Sequence, residues 1–312
     1  MPTLWAVVGA TGTGKSEAAL DLAERLSARD GRAAEVVNAD AMQLYRGMDI
    51  GTAKLPVGER RGIPHHLFDA FEPDEEATVA RYQPAARAQI AEILGGGADA
   101  ILVGGSGLYV SSVIFDFQFP PRDEATRAAL EREHEDRGIA PLLARLAELA
   151  PETAVAVDSR NPRRVIRALE VALLGGDARV TLPSDPELWV AGESHESTRI
   201  LGITSERTVL TERLDRRVER MWADGMLDEV RALIPRGIER GKTASRAIGY
   251  AQALSQLRGE LTEPAAIAET QALTRRYARR QVSWFKRYPG VTWIDQTAGP
   301  DRGALDLAVA GD

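Results

Sequence analysis

Leu4-Trp-Ala-Val-Val8-Gly9-Ala-Thr-Gly-Thr-Gly14-Lys15-Ser16 is the stretch that decides the fold. Leu4–Val8 is a short apolar run that reads as a buried strand, and Gly9–Ser16 fits GxxxxGK[ST]. Lys15–Arg29 then carries a helical period. A strand, a glycine loop and a helix in that order let backbone N–H groups close around phosphate oxygens, and the helix N-terminus adds partial positive charge. Gly9, Gly12 and Gly14 permit the curvature, with Thr11 and Thr13 inside it. Lys15 neutralises phosphate, and the Ser16 hydroxyl suits Mg²⁺. The whole chain has only four lysines (Lys15, Lys54, Lys242, Lys286), so the one here is not filler. A diphosphate or triphosphate site is indicated.

Working outward, short apolar runs alternate with helical patterns, the mark of a parallel α/β sheet. Ala34–Asn38 and Ala100–Val103 read as strands and Thr78–Leu94 as a helix, while Ile200–Ile203 and Val291–Ile294 read as later strands of the same sheet. Between Pro120 and Pro186 the strand signal stops. Glu124–Arg137, Pro141–Leu149 and Pro162–Leu174 read there as consecutive helices. The expected architecture is a P-loop NTPase-like parallel sheet flanked by helices, residues 1–119 and 187–300, with a smaller all-helical insertion over 120–186. Residues 301–312 show no period able to bury a face and are expected to form a flexible tail. At 312 residues, 44% apolar and 27% charged, the chain falls among soluble globular proteins. It contains no cysteine, which excludes thiol nucleophiles and thiolate metal sites. No apolar run approaches a membrane span and no basic leader precedes the first strand, so a cytoplasmic protein without membrane association is expected.

Two further loops belong at the same carboxyl edge as the phosphate loop. The strand Ala100–Val103 ends in Gly104-Gly105-Ser106-Gly107, which supplies backbone donors and one hydroxyl where a nucleotide hydrolase places a metal-holding carboxylate. Asp40 follows the strand Ala34–Asn38 and opens a loop carrying Gln43, Tyr45, Arg46, Asp49 and Lys54. It reads either as the N-cap of a helix running from Met42 onward or as a general base or metal-shell carboxylate. His65 and His66 point to opposite faces of any strand, so they read as structural.

The net charge of -7 argues at first against a nucleic-acid partner. Its distribution says otherwise. Residues 240–287 hold ten Lys/Arg against three Glu, a local +7 that leaves -14 for the rest. Arg275, Arg279 and Lys286, with Arg276, Arg280 and Arg287 alongside, share one side of a helix. Tyr277, Gln281, Trp284 and Tyr288 run along another stripe, suited to the core. Arg160, Arg163, Arg164 and Arg167 form a second basic cluster. Cations set along one side of a helix favour phosphate contact, for which steep salt dependence is expected.

These residues resemble the bacterial tRNA dimethylallyltransferase (tRNA isopentenyl-transferase) family over nearly the whole chain. The resemblance rests on Gly9–Ser16, Asn38–Asp40, Gly47–Lys54, Pro64–Leu67, Val103–Tyr109, Asn161–Glu170, Ser245–Tyr250 and Thr274–Trp284. It implies transfer of a dimethylallyl group from dimethylallyl diphosphate to N6 of the adenosine 3′ of the anticodon, position 37, in tRNAs reading codons that begin with U. Mg²⁺ is the implied cofactor, the tRNA anticodon stem-loop the partner, and a monomer is expected. Asp40 matches the family's general base and Arg246 its diphosphate-touching arginine, with Ser106 at the diphosphate as well. The RNA contacts implied are Asp40, Ala41, Met42, Gln43, Ser106, Arg127, Arg163, Arg164, Arg167, Gly249, Tyr250, Arg275, Arg276, Arg279 and Arg280. Ala41, Ser106 and Ala10 stand where many members have Ser, Thr and Pro, and none of these changes removes a catalytic group. Three other functions stay open: a P-loop small-molecule kinase, an isopentenyl-transferase acting on free adenine nucleotide, and an RNA-binding module with an inactive phosphate loop.

Overall fold

The computed structural model describes residues 1–115, 119–176, 187–189 and 198–310. Six parallel strands form one sheet: β1 (Leu4–Gly9), β2 (Ala34–Asn38), β3 (His65–His66), β4 (Asp99–Gly104), β5 (Thr198–Thr204) and β6 (Val291–Asp295). Their order is β3-β2-β4-β1-β5-β6. Every residue of β1 is buried, as a central strand covered on both faces requires. Its register pairs Val8 with Gly104 of β4 and with Gly202 of β5, so the loops after β1 and β4 emerge side by side.

Helices cover both faces. α1 (Lys15–Asp30) buries Ala19, Leu22, Ala23 and Leu26 against Val7, Ile101 and Leu201. α2 (Val79–Gly95) starts at Thr78, whose hydroxyl accepts from the Arg81 N–H, and buries Tyr82, Ala86, Ile90 and Ile93. α3 (Gly107–Ile114) follows β4 directly. After β5 come α8 (Arg207–Ala223), α9 (Met226–Leu233), α10 (Tyr250–Leu257) and the 23-residue α11 (Glu263–Phe285).

The tail departs from the expectation. Arg302–Ala310 forms α12, with Leu305 and Val309 buried in the same cluster as Leu22 and Leu26. Asp306 pairs with Arg25, and Arg302 lies 3.5 Å from Asp21. Leu305 and Val309, four residues apart, make a stripe just wide enough to dock one short helix. His65 and His66 lie on the edge strand. His66 Nε2 meets Glu35 Oε2 at 2.6 Å, while burial lowers the His65 pKa despite its 2.8 Å contact with the Ile63 carbonyl. The described residues hold no cluster of three or more metal-ligating side chains of the His, Cys, Asp and Glu kind.

The chain divides into two units, Met1–Asp116 with Glu187–Asp312, and Phe117–Pro186. The second contains α4 (Glu124–Arg137), α5 (Ala140–Leu149), α6 (Pro151–Ala156) and α7 (Pro162–Leu173). Leu130, Leu142, Leu146, Val165 and Leu169 form its own apolar core. Residues 177–186, the end of the expected insertion, lie outside the described residues.

Candidate active site

The phosphate loop turns through Gly12 and Gly14, whose φ angles of 82° and 91° favour glycine. The N–H groups of Gly12, Gly14, Lys15 and Ser16 meet no acceptor among the described residues. Four unclaimed donors at the start of α1 form a cradle for an anion. Lys15 Nζ reaches back to the Ala10 carbonyl at 2.7 Å, and Thr13 Oγ1 donates to the same oxygen at 2.9 Å. Burial pushes the Lys15 pKa down to about 8. Asp40 opposes that shift and Arg217 adds to it. Ser16 is exposed and its hydroxyl has no protein partner among the described residues, so it is free to meet a cation beside phosphate oxygens.

Asp40 is locked from both sides. Its N–H donates to Asn38 Oδ1 at 2.9 Å, and Asn38 Nδ2 donates to the carbonyls of Asp40 and Leu67. One carboxylate oxygen, Oδ1, accepts from the Met42 N–H at 3.0 Å, but it caps a turn and not the helix expected from Met42 onward. Oδ2 accepts from no described residue and remains open for chemistry. Ser106, the residue before α3, accepts from the Ala41 N–H at 3.1 Å and lies 3.5 Å from the Tyr277 phenol. Gly104 has no room for a side chain because a Cβ would run into the Ala39 carbonyl, and this lets the two loops touch. The Tyr277 pKa rises to about 12 through burial and then the charge of Asp40, so its phenol keeps its proton.

Two site residues lie outside the sequence-based site candidates. Arg217, on α8, donates to Thr11 Oγ1 at 3.0 Å. It is half-buried and interacts electrostatically with both Lys15 and Asp40. Gln281, on α11 and 3% exposed, accepts from the Thr11 N–H at 2.8 Å and donates to the Gly105 carbonyl at 2.7 Å. Lys15, Asp40, Arg217, Tyr277, Ser106 and Gln281 thus meet around one phosphate cradle.

The residue 43–288 segment matches the family profile described as IPP transferase. The chain belongs to the IPP transferase family. It is 56% identical over 295 residues to a tRNA dimethylallyltransferase of Clavibacter sepedonicus, covering 95% of this chain and 94% of that protein. The full-length tRNA isopentenylpyrophosphate transferase of Bacillus halodurans superposes with a TM-score of 0.70 at 38% identity, covering 100% of this chain and 96% of that one. A eukaryotic dimethylallyltransferase acting on tRNA gives a TM-score of 0.75 at 25% identity, covering 100% of this chain and 77% of that one.

In this IPP transferase the arginine expected from the resemblance, Arg246, ends a short 3-10 turn, Ala244–Arg246. It is exposed and its guanidinium has no partner among the described residues, whereas Arg217 is the guanidinium on the phosphate loop. Tyr250, expected among the RNA contacts, lies in the core of its unit. It is fully buried and its phenol donates to Glu229 at 2.5 Å. Glu229 also accepts the N–H groups of Asp49, Ile50 and Gly51, which ties α9 and α10 to the loop after Asp40. Gly249, with φ of 92°, makes the turn into α10.

The basic stripe of α11 is narrower than six cations. Arg276, Arg279, Arg280 and Arg287 line one open surface with Ser283 and Trp284. Arg275 is drawn aside to Asp215 at 2.5 Å. Lys286 instead lines an apolar cavity of about 270 Å³ beside Gly9, Ala10 and Phe285. The other stripe packs inward as expected. The Tyr288 phenol lies 2.6 Å from Ser111 Oγ, and Trp284 Nε1 donates to the same oxygen at 3.1 Å. In the helical unit Arg127 pairs with Glu131. Arg167 is spent on Glu170 and the carbonyls of Pro120 and Pro121, leaving Arg163 and Arg164 as its exposed arginines on α7.

Proposed function

We propose that this chain transfers the dimethylallyl group of dimethylallyl diphosphate to N6 of adenosine 37 in tRNAs that read codons beginning with U. The observation that carries the reading is the meeting of Lys15, Arg217 and the open oxygen of Asp40 at a cradle of unclaimed N–H groups.

An exocyclic adenine amine is a weak nucleophile, and its N–H is too weak an acid to deprotonate first. The allylic carbon therefore has to develop positive charge as its C–O bond stretches. The electron pair of that bond leaves with the diphosphate, and the amine lone pair forms the new C–N bond. The loop amides, Lys15 and Arg217 stabilise the departing oxygens, each preorganised donor being worth about 3–4 kcal/mol. Asp40 orients the amine and takes its proton as the bond forms, typically worth about 10²–10⁴ in rate. Ser16 and the donor's phosphate oxygens are the groups that would hold Mg²⁺, which when bound neutralises charge on the leaving group. Arg246 is the second arginine of this reading. Comparing pyrophosphate affinity in Arg217→Gln and Arg246→Gln decides which one holds the diphosphate, and the larger loss is expected for Arg217.

The acceptor adenine has to leave its stack to reach the cradle, at a cost of a few kcal/mol in a single-stranded loop. Arg276, Arg279, Arg280 and Arg287, and on the helical unit Arg163 and Arg164, are the proposed phosphate contacts. Ala41, Met42 and Gln43, next to Asp40, are the proposed contacts to the base. A kinase is disfavoured because β4 ends in Gly104–Gly105–Ser106 with no carboxylate. Unmodified tRNA incubated with labelled dimethylallyl diphosphate, labelled ATP, or free adenylate as acceptor separates the alternatives. Label is expected on tRNA from the prenyl donor alone, and transfer from ATP or to free adenylate would overturn the reading.

A further inference from the structure

We infer that Gln281 is a positioning residue for the phosphate loop, acting on Lys15 through the Ala10–Thr11 peptide. The inference rests on the proposal that this loop holds the donor's diphosphate. A trans peptide is planar, so its N–H and C=O point in opposite directions. Gln281 Oε1 takes the Thr11 N–H on one side. The Ala10 carbonyl therefore faces the other side, where it accepts from Lys15 Nζ and Thr13 Oγ1. Holding one end of this peptide unit sets where the lysine ammonium sits at the other.

Gln281 cannot drift, because its own amide nitrogen is anchored on the Gly105 carbonyl and the side chain is 3% exposed. Gly105 lies so close that a Cβ there would run into that nitrogen. Thr11 is thus gripped twice, by Gln281 at its N–H and by Arg217 at its hydroxyl. The two glycine loops, separated in sequence by the whole of β2 and α2, are joined through one side chain. That side chain projects from α11, whose opposite stripe carries Arg276, Arg279 and Arg280. The helix proposed to grip RNA is therefore also the one that holds the diphosphate loop in shape. A loop set in its binding shape before the anion arrives loses less on ordering it.

The test substitutes Gln281→Met, which keeps the volume and removes both hydrogen bonds. Calorimetric titration with inorganic pyrophosphate and Mg²⁺ is expected to show about a tenfold weaker Kd, the size of a lost anchoring hydrogen bond near charge. The Kd for unmodified tRNA is expected to stay within about twofold, since the arginine face is untouched. With tRNA saturating, the KM for the prenyl donor should rise in step with the pyrophosphate Kd. Gly105→Ala, which pushes the amide away from the other end, should reproduce the pattern and carries the test if Gln281→Met does not fold. A folded Gln281→Met that binds pyrophosphate like the wild type overturns the inference alone. So does equal weakening of pyrophosphate and tRNA, the mark of a merely structural role. A wild-type protein that binds no pyrophosphate overturns both the inference and the diphosphate reading beneath it.

Discussion

Raising the pH through 8 should loosen the grip on the donor. The Lys15 ammonium is held down to about 8, first by burial and then by Arg217, with Asp40 pulling the other way. The sign follows directly. Above pH 8 the free protein loses the Lys15 proton, with it a positive charge facing the anion, and attraction to the diphosphate falls. At pH 9 about a tenth of the molecules carry the ammonium, so kcat/KM for the donor should drop about tenfold per pH unit beyond the break. A bound diphosphate draws the Lys15 pKa upward. At saturating donor kcat should therefore hold to higher pH, and the break at 8 belongs to kcat/KM. The assay measures initial rates at limiting dimethylallyl diphosphate and saturating tRNA between pH 6.5 and 9.5, roughly spanning the break. Lys15→Arg provides the control, because a guanidinium stays charged throughout. That variant is expected to be slower and to show no bend near 8, which also separates Lys15 from any titration of the donor. A profile flat to pH 9.5 in the wild type, or the same bend in Lys15→Arg, would refute the reasoning.

Asp40→Asn should retain the fold and the pyrophosphate affinity and lose about 10²–10⁴ in turnover, measured by single-turnover transfer to tRNA; wild-type turnover would remove the general base. Replacing both Arg276 and Arg279 by Gln should make the slope of log affinity for tRNA against log salt shallower by about 1–2, roughly 0.7 per phosphate contact in a single strand. An unchanged slope would place the RNA elsewhere. Leu305→Ala, at a side chain 3% exposed on α12, should cost about 2–5 kcal/mol in chemical denaturation, with pyrophosphate binding at 25 °C kept. A loss near zero would mean that α12 does not support the sheet.

The strands, the phosphate loop and the main helices were legible because each repeats a local period or motif within a dozen residues. Asp40 was legible for a similar reason, since it follows a strand that has to end at the same edge as Gly9. Arg217 was not. It stands in a run with Arg213, Arg216 and Arg220 that reads as one solvated helix face, and only its contact with Thr11, 206 positions away, distinguishes it. Gln281 was placed correctly on an inward stripe, but periodicity reports burial and not the partner. The partner of Tyr250 was hidden for the same reason, because the Glu229 carboxylate that takes its phenol lies on a different helix. The tail helix was missed because Leu305 and Val309 are too few to show a period by themselves, and become a packing face only against Leu22 and Leu26.

Charge shows how a true average can point the wrong way. The overall -7 includes acid already paired with base elsewhere, such as Glu17, Asp21 and Glu24 of α1, which all meet Arg61. Along α11 and just past its end, Arg276, Arg279, Arg280 and Arg287 are instead exposed, with aromatic rings beneath two of them. Arg280 lies 5.7 Å from the Tyr277 ring centre and Arg287 lies 4.7 Å from that of Trp284. A ring face restrains a guanidinium without using its hydrogen-bond donors, as a carboxylate would. Those donors stay available for phosphate while part of the side-chain entropy is already lost. The same two rings pack inward against Ser106 and Ser111. The aromatic stripe therefore gives the basic face its order and at the same time attaches it to Ser106 and to α3, beside the glycine loop proposed to hold the diphosphate.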